Sequence, residues 1–198
     1  LEKCIYLSQN GRPGPTWIDI PLDLQTKDIN PKRLKSFKPK KNKIIKFNNK
    51  LIKISNLIKK SFKPVIIIGN GVHLSNSKKL IKEIIDNFNI PVLSSWNASD
   101  VISTNHNRYI GRLGLFGDRA SNFTIQDSDL VLVLGCRLSQ PQTGYNSSLF
   151  APGAKFIYVD IDVAEISKFK GKNITKIISD LRLFLEQFIK FIKRFKLK

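Results

Sequence analysis

The chain has 198 residues, 41% of them hydrophobic, and 34 Lys and Arg against 15 Asp and Glu give a formal charge of +19. That length and apolar content suffice for one full α/β domain and part of another, and argue against a disordered chain. The charge alone would suggest a nucleic-acid partner. However, the lysines are spread over helix faces and one linker, Lys, Asn, Ile and Phe are over-used together, and no zinc-ligand pairs or RNP-like aromatic strand accompany them. Nor does any apolar run approach the ~20 residues of a membrane-spanning helix. The expectation is therefore no nucleic acid and no membrane.

The chain opens at Leu1 and contains no Met, so a piece of a longer polypeptide is expected. LEKCIYLSQ lacks the basic and apolar regions of a signal peptide. Cys4 and Cys136 lie far apart in unlike contexts, and the pair reads as two reduced thiols of a cytoplasmic protein. Residues 1–9 suit the end of a helix. Asn10 to Pro15 form a Gly/Pro-rich turn, and Thr16–Ile20 (TWIDI) reads as a short strand ended by Pro21. Residues 1–25 are thus the end of a preceding domain, residues 26–49 a solvated linker with Pro31, Pro39 and many lysines, and residues 50–198 the main domain.

Leu51–Phe62 is expected as an amphipathic helix, with Leu51, Ile54, Leu57, Ile58 and Phe62 on one face. Pro64–Gly71 (PVIIIGNG) organises the main domain. Its uninterrupted β-branched run reads as a strand buried on both faces. The glycines that end it permit a tight turn and close approach to bare backbone. A helix over residues 77–88 comes next, with Ser75 or Asn76 able to cap it and Leu80, Ile81, Ile84, Ile85 and Phe88 along one side. Pro91–Ser95 is a second strand. Residues 96–117 read mostly as loop, with three glycines in Gly111–Gly117, and Asp118 caps a helix running to Gln126.

Asp129–Gly135 (DLVLVLG) is the next strand, and residues 139–153 are irregular. Lys155–Asp162 (KFIYVDID) is another strand, followed by a helix near Ala164–Phe169, a last strand Ile174–Ile178, and a helix Leu181–Phe195 capped by Asp180. That helix carries Leu181, Phe184, Leu185, Phe188, Phe191, Ile192 and Phe195 on one face and ends in a basic tail. The repetition predicts a Rossmann-like α/β fold, a parallel sheet with helices on both faces. Its ligand site is expected beyond the strands' carboxyl ends. Position 74 is Leu, so the Gly-x-Gly-x-x-Gly dinucleotide fingerprint is not met.

The set of motifs is more specific. GRPGPTWIDIPLDLQ (Gly11–Gln25) resembles the segment closing the pyrimidine-binding domain of thiamine diphosphate enzymes of the acetolactate synthase type. KPVIIIGNGV, GRLGLFGDRASN, DSDLVLVLGCRL and FIYVDIDVAEI resemble the middle domain of the same enzymes, in the same order. The resemblance implies an enzyme of three α/β domains, dependent on thiamine diphosphate and Mg²⁺. It would act on a 2-oxo acid by carboligation or decarboxylation and assemble as a homodimer or homotetramer. Its activating glutamate belongs to the first domain and its Gly-Asp-Gly motif to the third. Neither occurs in this chain, so no catalytic residue is named and the piece alone is expected to be inactive.

The middle domain of such enzymes binds FAD, or ADP in some relatives. Carried over by motif, the contacts are Gly69, Asn70 and Gly71 after the first strand and Ser94 and Ser95 ending the second. They continue with Gly114, Leu115 and Phe116 in the glycine loop, Gly135, Cys136 and Arg137 after the third strand, Asp160 and Ile161 at the end of the fourth, and Asp180. The expected roles are phosphate approach at the glycine turns, diphosphate pairing by Arg137 and ribose or adenine hydrogen bonding by Asp160. The residues alone leave other roles open. The glycines can simply relieve turns, Arg137 can pair with Asp118 or another acid, and Asp160, Asp162 and Asp180 can cap strand and helix ends. Acetolactate synthases carry two acids and an arginine where this chain has Ser139, Gln140 and Pro141, and Met-His where it has Leu115-Phe116. The alternative from another class is a non-catalytic nucleotide-binding or scaffolding module.

Overall fold

The computed structural model describes residues 1–39, 46–169 and 173–195. It divides into two compact units, Leu1–Ile44 and Ile45–Lys198. Part of the expected linker (40–45) and the end of the expected basic tail (196–198) lie outside the described residues.

In the first unit, α1 (Glu2–Gln9) and the single turn α2 (Leu22–Gln25) are joined by irregular chain, and a 3₁₀ turn covers Pro31–Arg33. Neither helix buries a residue. Glu2 accepts the Phe37 N–H at 2.7 Å, and the Tyr6 and Phe37 rings lie 5.3 Å apart. Thr16–Ile20 is not a strand, against the expectation of a short strand ended by Pro21. A strand exists through its ladder, and no described segment of this unit supplies a neighbour.

The second unit begins with α3 (Asn48–Lys60), followed by β1 (Pro64–Ile68), the single turn α4 (Gly71–Leu74) and α5 (Lys78–Asn87). Then come β2 (Val92–Ser94), β3 (Tyr109–Arg112), α6 (Arg119–Gln126), β4 (Leu130–Leu134), α7 (Gln140–Thr143), β5 (Lys155–Asp160), α8 (Val163–Ser167), β6 (Ile174–Ile178) and α9 (Leu181–Phe195). All strands pair in parallel, in the order β3-β2-β1-β4-β5-β6. This is the doubly wound order, whose direction reverses between β1 and β4 and leaves a crevice at their carboxyl ends.

Side chains of β1 alternate between two cores. Ile66 and Ile68 face α3, α5 and α9, while Val65 and Ile67 face Ile125 of α6 and Ile166 of α8. All four are buried, as an apolar run covered on both faces requires. On the first face Phe47, Phe184, Phe188 and Phe88 form a chain of ring contacts from 5.5 to 6.0 Å. Among the described residues no helix is long and apolar enough to cross a membrane.

Five further local expectations are corrected. Residues 96–117 contain a strand, β3, which a four-residue segment beside glycines signals weakly. Phe62 is 93% exposed, because α3 ends at Lys60 and the chain turns before it. Phe195, at the last turn of α9, is likewise exposed. Ser77, rather than Ser75 or Asn76, is the N-cap residue of α5; Asn76 sits at φ 51° and completes the turn before it. Asp118 does stand at the N-cap of α6, but its carboxylate accepts the Arg112 N–H at 2.7 Å instead of a helix amide.

Candidate functional site

The crevice is shaped first by glycines. The Gly69 N–H donates to Leu134 O at 3.2 Å, and the Gly71 N–H donates to Gly135 O at 2.9 Å, so the turns after β1 and β4 are laced together. A Cβ on Gly69 would fall on Cys136 Cα and the Gly135 carbonyl, and one on Gly71 would lie 2.7 Å from Gly135 Cα. Gly135, at φ +59°, donates its own N–H to Val159 O at 3.0 Å. These three amides are therefore spent on the strand ends. The glycines serve close backbone approach, and Asn70 stands exposed at the tip of the turn.

The glycine loop is fixed by a residue the sequence reading passed over. Asn122, on α6, accepts the Gly114 N–H and donates Nδ2–H to Gly114 O, both at 2.9 Å. Gly114 has φ +110°, and a Cβ there would lie 2.6 Å from Pro141 O. The Leu115 N–H donates to that same oxygen at 2.8 Å. The loop after β3 is thus stitched to α7, which follows β4. Asn122 closes the motif GRLGLFGDRASN, and its place in the first turn of α6, eight residues after Gly114, was the available signal.

Beyond the carboxyl ends of β2, β3 and β4, these loops enclose a cavity of about 610 Å³. Its wall is uncharged, and Trp96, Phe116 and Tyr145 supply rings while Asn122, Gln126, Gln140 and Gln142 supply amides. The Trp96 and Phe116 rings meet at 5.5 Å, yet Phe116 is 71% exposed. The substituted turn is ordered by its own chemistry. Ser139 caps α7, with Gln142 Oε1 accepting the Ser139 N–H at 2.9 Å. The same oxygen lies 3.7 Å from Cys136 Sγ, and burial pushes the Cys136 thiol up to about 11. Both cysteines are free.

The remaining sequence-predicted residues fall on the same edge of the sheet or near it. Ser94 is buried and its hydroxyl pairs with Tyr109 Oη at 2.8 Å, while the Ser95 N–H donates to Ile68 O at 2.9 Å. Asp160 accepts the Asp162 N–H at 2.9 Å, and Asp162 caps α8 through the Ala164 N–H at 2.8 Å. Ile161, between them, is 37% exposed. Asp180 accepts the Leu183 N–H at 3.1 Å and so caps α9. Arg137 pairs with Glu165 rather than Asp118, its Nε 3.2 Å from Oε1, and Lys168 Nζ lies 2.5 Å from Oε2 of the same carboxylate. Glu165 sits three residues after the Asp162 cap, where a capping box would place it, but its carboxylate turns to the two cations. His73 lies in α4 with Nε2 2.9 Å from Asp100 Oδ1. Among the described residues there is no group of three or more His, Cys, Asp and Glu that could hold a metal.

Comparison with known proteins agrees with this architecture. Residues 51–188 match the family model described as thiamine pyrophosphate enzyme, central domain. The chain is 36% identical over 200 residues to a probable acetolactate synthase large subunit of Methanococcus aeolicus, covering 96% of this chain and 32% of that protein. It is 31% identical over 193 residues to the acetolactate synthase isozyme 1 large subunit of Escherichia coli K12, covering 98% and 34%. It is also 31% identical over 193 residues to acetolactate synthase 2, chloroplastic, of Nicotiana tabacum, covering 94% and 28%. The chain spans about a third of the length of these relatives. It belongs to the thiamine pyrophosphate enzymes, of which it carries the central domain.

Proposed function

We propose that this chain is the nucleotide-binding middle domain of an enzyme that forms a carbon–carbon bond beside the carbonyl of a 2-oxo acid. The relatives' names support the reaction class, and the cavity of about 610 Å³ at the carboxyl ends of β2, β3 and β4 carries the nucleotide reading. That volume lies within the range of small-molecule sites, and few polar groups among apolar walls are what such sites use.

FAD or ADP fits these residues in a specific way. Trp96 and Phe116 offer ring faces to a planar heterocycle. Asn70, at the exposed tip of the β1 turn, and Arg137, beyond β4, are the groups left to meet phosphate oxygens. The amides of Gly69, Gly71 and Gly135 are already spent. Ser139, Gln140 and Pro141 leave the start of α7 without charge, so recognition of the ring is by shape and neutral hydrogen bonds. A bound flavin or adenine nucleotide would here tie the β3 and β4 loops together.

Among the described residues no group of three or more His, Cys, Asp and Glu offers Mg²⁺ a donor set, and no residue of this chain is assigned to thiamine diphosphate. Thiamine diphosphate supplies an electron sink for the carbon beside the carbonyl, and its site is inferred to lie in parts of the protein corresponding to those the relatives have outside the matched third. Self-association into a homodimer or homotetramer belongs to the same proposal. The exposed apolar side chains Leu115, Phe116 and Phe123 around one edge support it. The test is the complete protein carrying this chain, incubated with pyruvate, thiamine diphosphate and Mg²⁺. Acetolactate formed only when thiamine diphosphate is present is the expected result. Unconsumed pyruvate and other 2-oxo acids under those conditions would refute it.

A further inference from the structure

We infer that the cavity beyond β2, β3 and β4 presents a wall of hydrogen-bond donors, which selects a planar ring with a carbonyl edge over one with an amine edge, and that Gln126 and Gln142 set this specificity. The inference rests on the nucleotide reading above and adds to it the polarity of the ring that the cavity takes.

Three amides of the wall are oriented by backbone N–H groups. Gln142 Oε1 accepts the N–H of Ser139, the N-cap residue of α7, at 2.9 Å. Gln126 Oε1 accepts the Ala151 N–H at 3.2 Å. Asn122 Oδ1 accepts the Gly114 N–H, and one of its two N–H groups returns to Gly114 O, both at 2.9 Å. A backbone N–H can pair only with the oxygen end of an amide, so each nitrogen end is fixed as the one that remains. The Gln126 and Gln142 nitrogens make no hydrogen bond among the described residues, and Asn122 keeps one N–H. All three residues line the cavity.

The other polar groups do not offset these donors. Gln140 is exposed and keeps both ends free, and the Thr143 and Tyr145 hydroxyls can each donate or accept. Two backbone carbonyls of α7 are already engaged, Pro141 O by the Leu115 N–H and Gln140 O by the Gly144 N–H. The wall carries no charge, which suits a neutral acceptor better than an anion.

A planar ring that fills this cavity meets the amides with its polar edge. A carbonyl oxygen there accepts from them. An exocyclic amine sets donor against donor and leaves both unpaired, which is how a site of fixed hydrogen-bonding groups rejects the wrong ligand. Isoalloxazine carries two carbonyls on one ring, whereas adenine carries an amine. Hypoxanthine has a carbonyl where adenine has that amine, so IDP and ADP form a matched pair with the same ribose and phosphates.

Replacing either glutamine by glutamate inverts the wall at one atom. The oxygen that accepts the backbone N–H stays, and the donating nitrogen becomes an acceptor. The experiment is calorimetric titration of the chain, Gln126→Glu and Gln142→Glu with IDP, ADP and riboflavin at neutral pH. IDP is expected to bind the unaltered chain about tenfold more tightly than ADP, the worth of one hydrogen bond. Each variant is expected to weaken IDP and riboflavin about tenfold and to leave ADP within about threefold. The melting temperature should stay that of the unaltered chain, which a merely structural role for these side chains would not allow. ADP binding as tight as IDP binding, or IDP and ADP weakened alike in the variants, overturns the inference and leaves nucleotide binding in place. Riboflavin binding that needs both glutamines, without IDP or ADP binding, supports the donor wall and removes ADP from the reading. Binding of none of the three overturns both. The comparison of IDP with ADP on the unaltered chain decides the matter even where a variant does not fold.

Discussion

Replacing Gly69 by alanine isolates the contact that closes the crevice. The added Cβ would fall on Cys136 Cα and the Gly135 carbonyl oxygen and lie 2.6 Å from Cys136 Cβ. The first two are backbone atoms, so no side chain can rotate away. Gly69 is not at positive φ, so the effect is steric and not torsional. Overpacking a tight site costs about 1–3 kcal/mol. Parting the turns also strains the Gly69–Leu134 and Gly71–Gly135 hydrogen bonds, each worth about 0.5–1.5 kcal/mol. The sum is a loss of about 2–6 kcal/mol, against a total of about 5–15 kcal/mol for a domain. At roughly 2–4 °C per kcal/mol for a unit of this size, the melting temperature should fall by about 4–24 °C. Gly153→Ala is the matched control, because a Cβ there meets nothing within 4 Å and its change should stay within about 0.5 kcal/mol. Urea denaturation of both variants gives the comparison. A Gly69→Ala protein as stable as the Gly153→Ala control would refute the account of how β1 and β4 meet.

Asn122→Ala removes both hydrogen bonds to Gly114 and should destabilise the second unit by about 1–3 kcal/mol; amide exchange at Gly114 should rise sharply, and unchanged protection would contradict the role given to Asn122. Burial pushes the Asp129 carboxyl up, but the Ser61 hydroxyl and the Phe62 and Lys63 amides outweigh it and hold the group below the usual carboxylate range. A carboxyl depressed in the folded state contributes stability above about pH 4 and loses it as pH falls through its lowered value. Asp129→Asn should therefore be less stable at neutral pH and show a flatter decline as pH falls below about 4; parallel curves would sink this. With the Cys136 thiol pushed up to about 11, iodoacetamide at pH 8 should label Cys4 rapidly and Cys136 only after denaturation, and rapid double labelling of the folded chain would show that the buried thiol is not held as described.

The strands that were legible in the sequence are those buried on both faces. PVIII and LVLVL have no polar residue to suggest another state, and each stops at glycine, so β1 and β4 could be read almost to the residue. α5 and α9 were legible through their apolar stripes. β3 was not, because its four residues include a glycine and carry no periodic signal of their own. Thr16–Ile20 misled for a different reason: a short apolar segment between prolines was present, but no ladder partner is among the described residues of its unit. At the site, the motifs gave the backbone positions, while the side-chain partners came from contacts distant in sequence. Arg137 finds Glu165 across the strand order, and Gly114 meets Pro141 only because β3 and β4 send their loops to the same end. The glycine amides expected at phosphate turned out to be used between strands, which no spacing reveals.

The measurement that tests the central claim most directly is the absorbance spectrum of the purified protein, followed by denaturation and chromatography of whatever is released. The account expects a nucleotide close to one per chain, FAD if a flavin spectrum is present and an adenine nucleotide such as ADP if the protein is colourless. A protein that releases no nucleotide, and takes up neither ADP nor FAD when they are added, would contradict it.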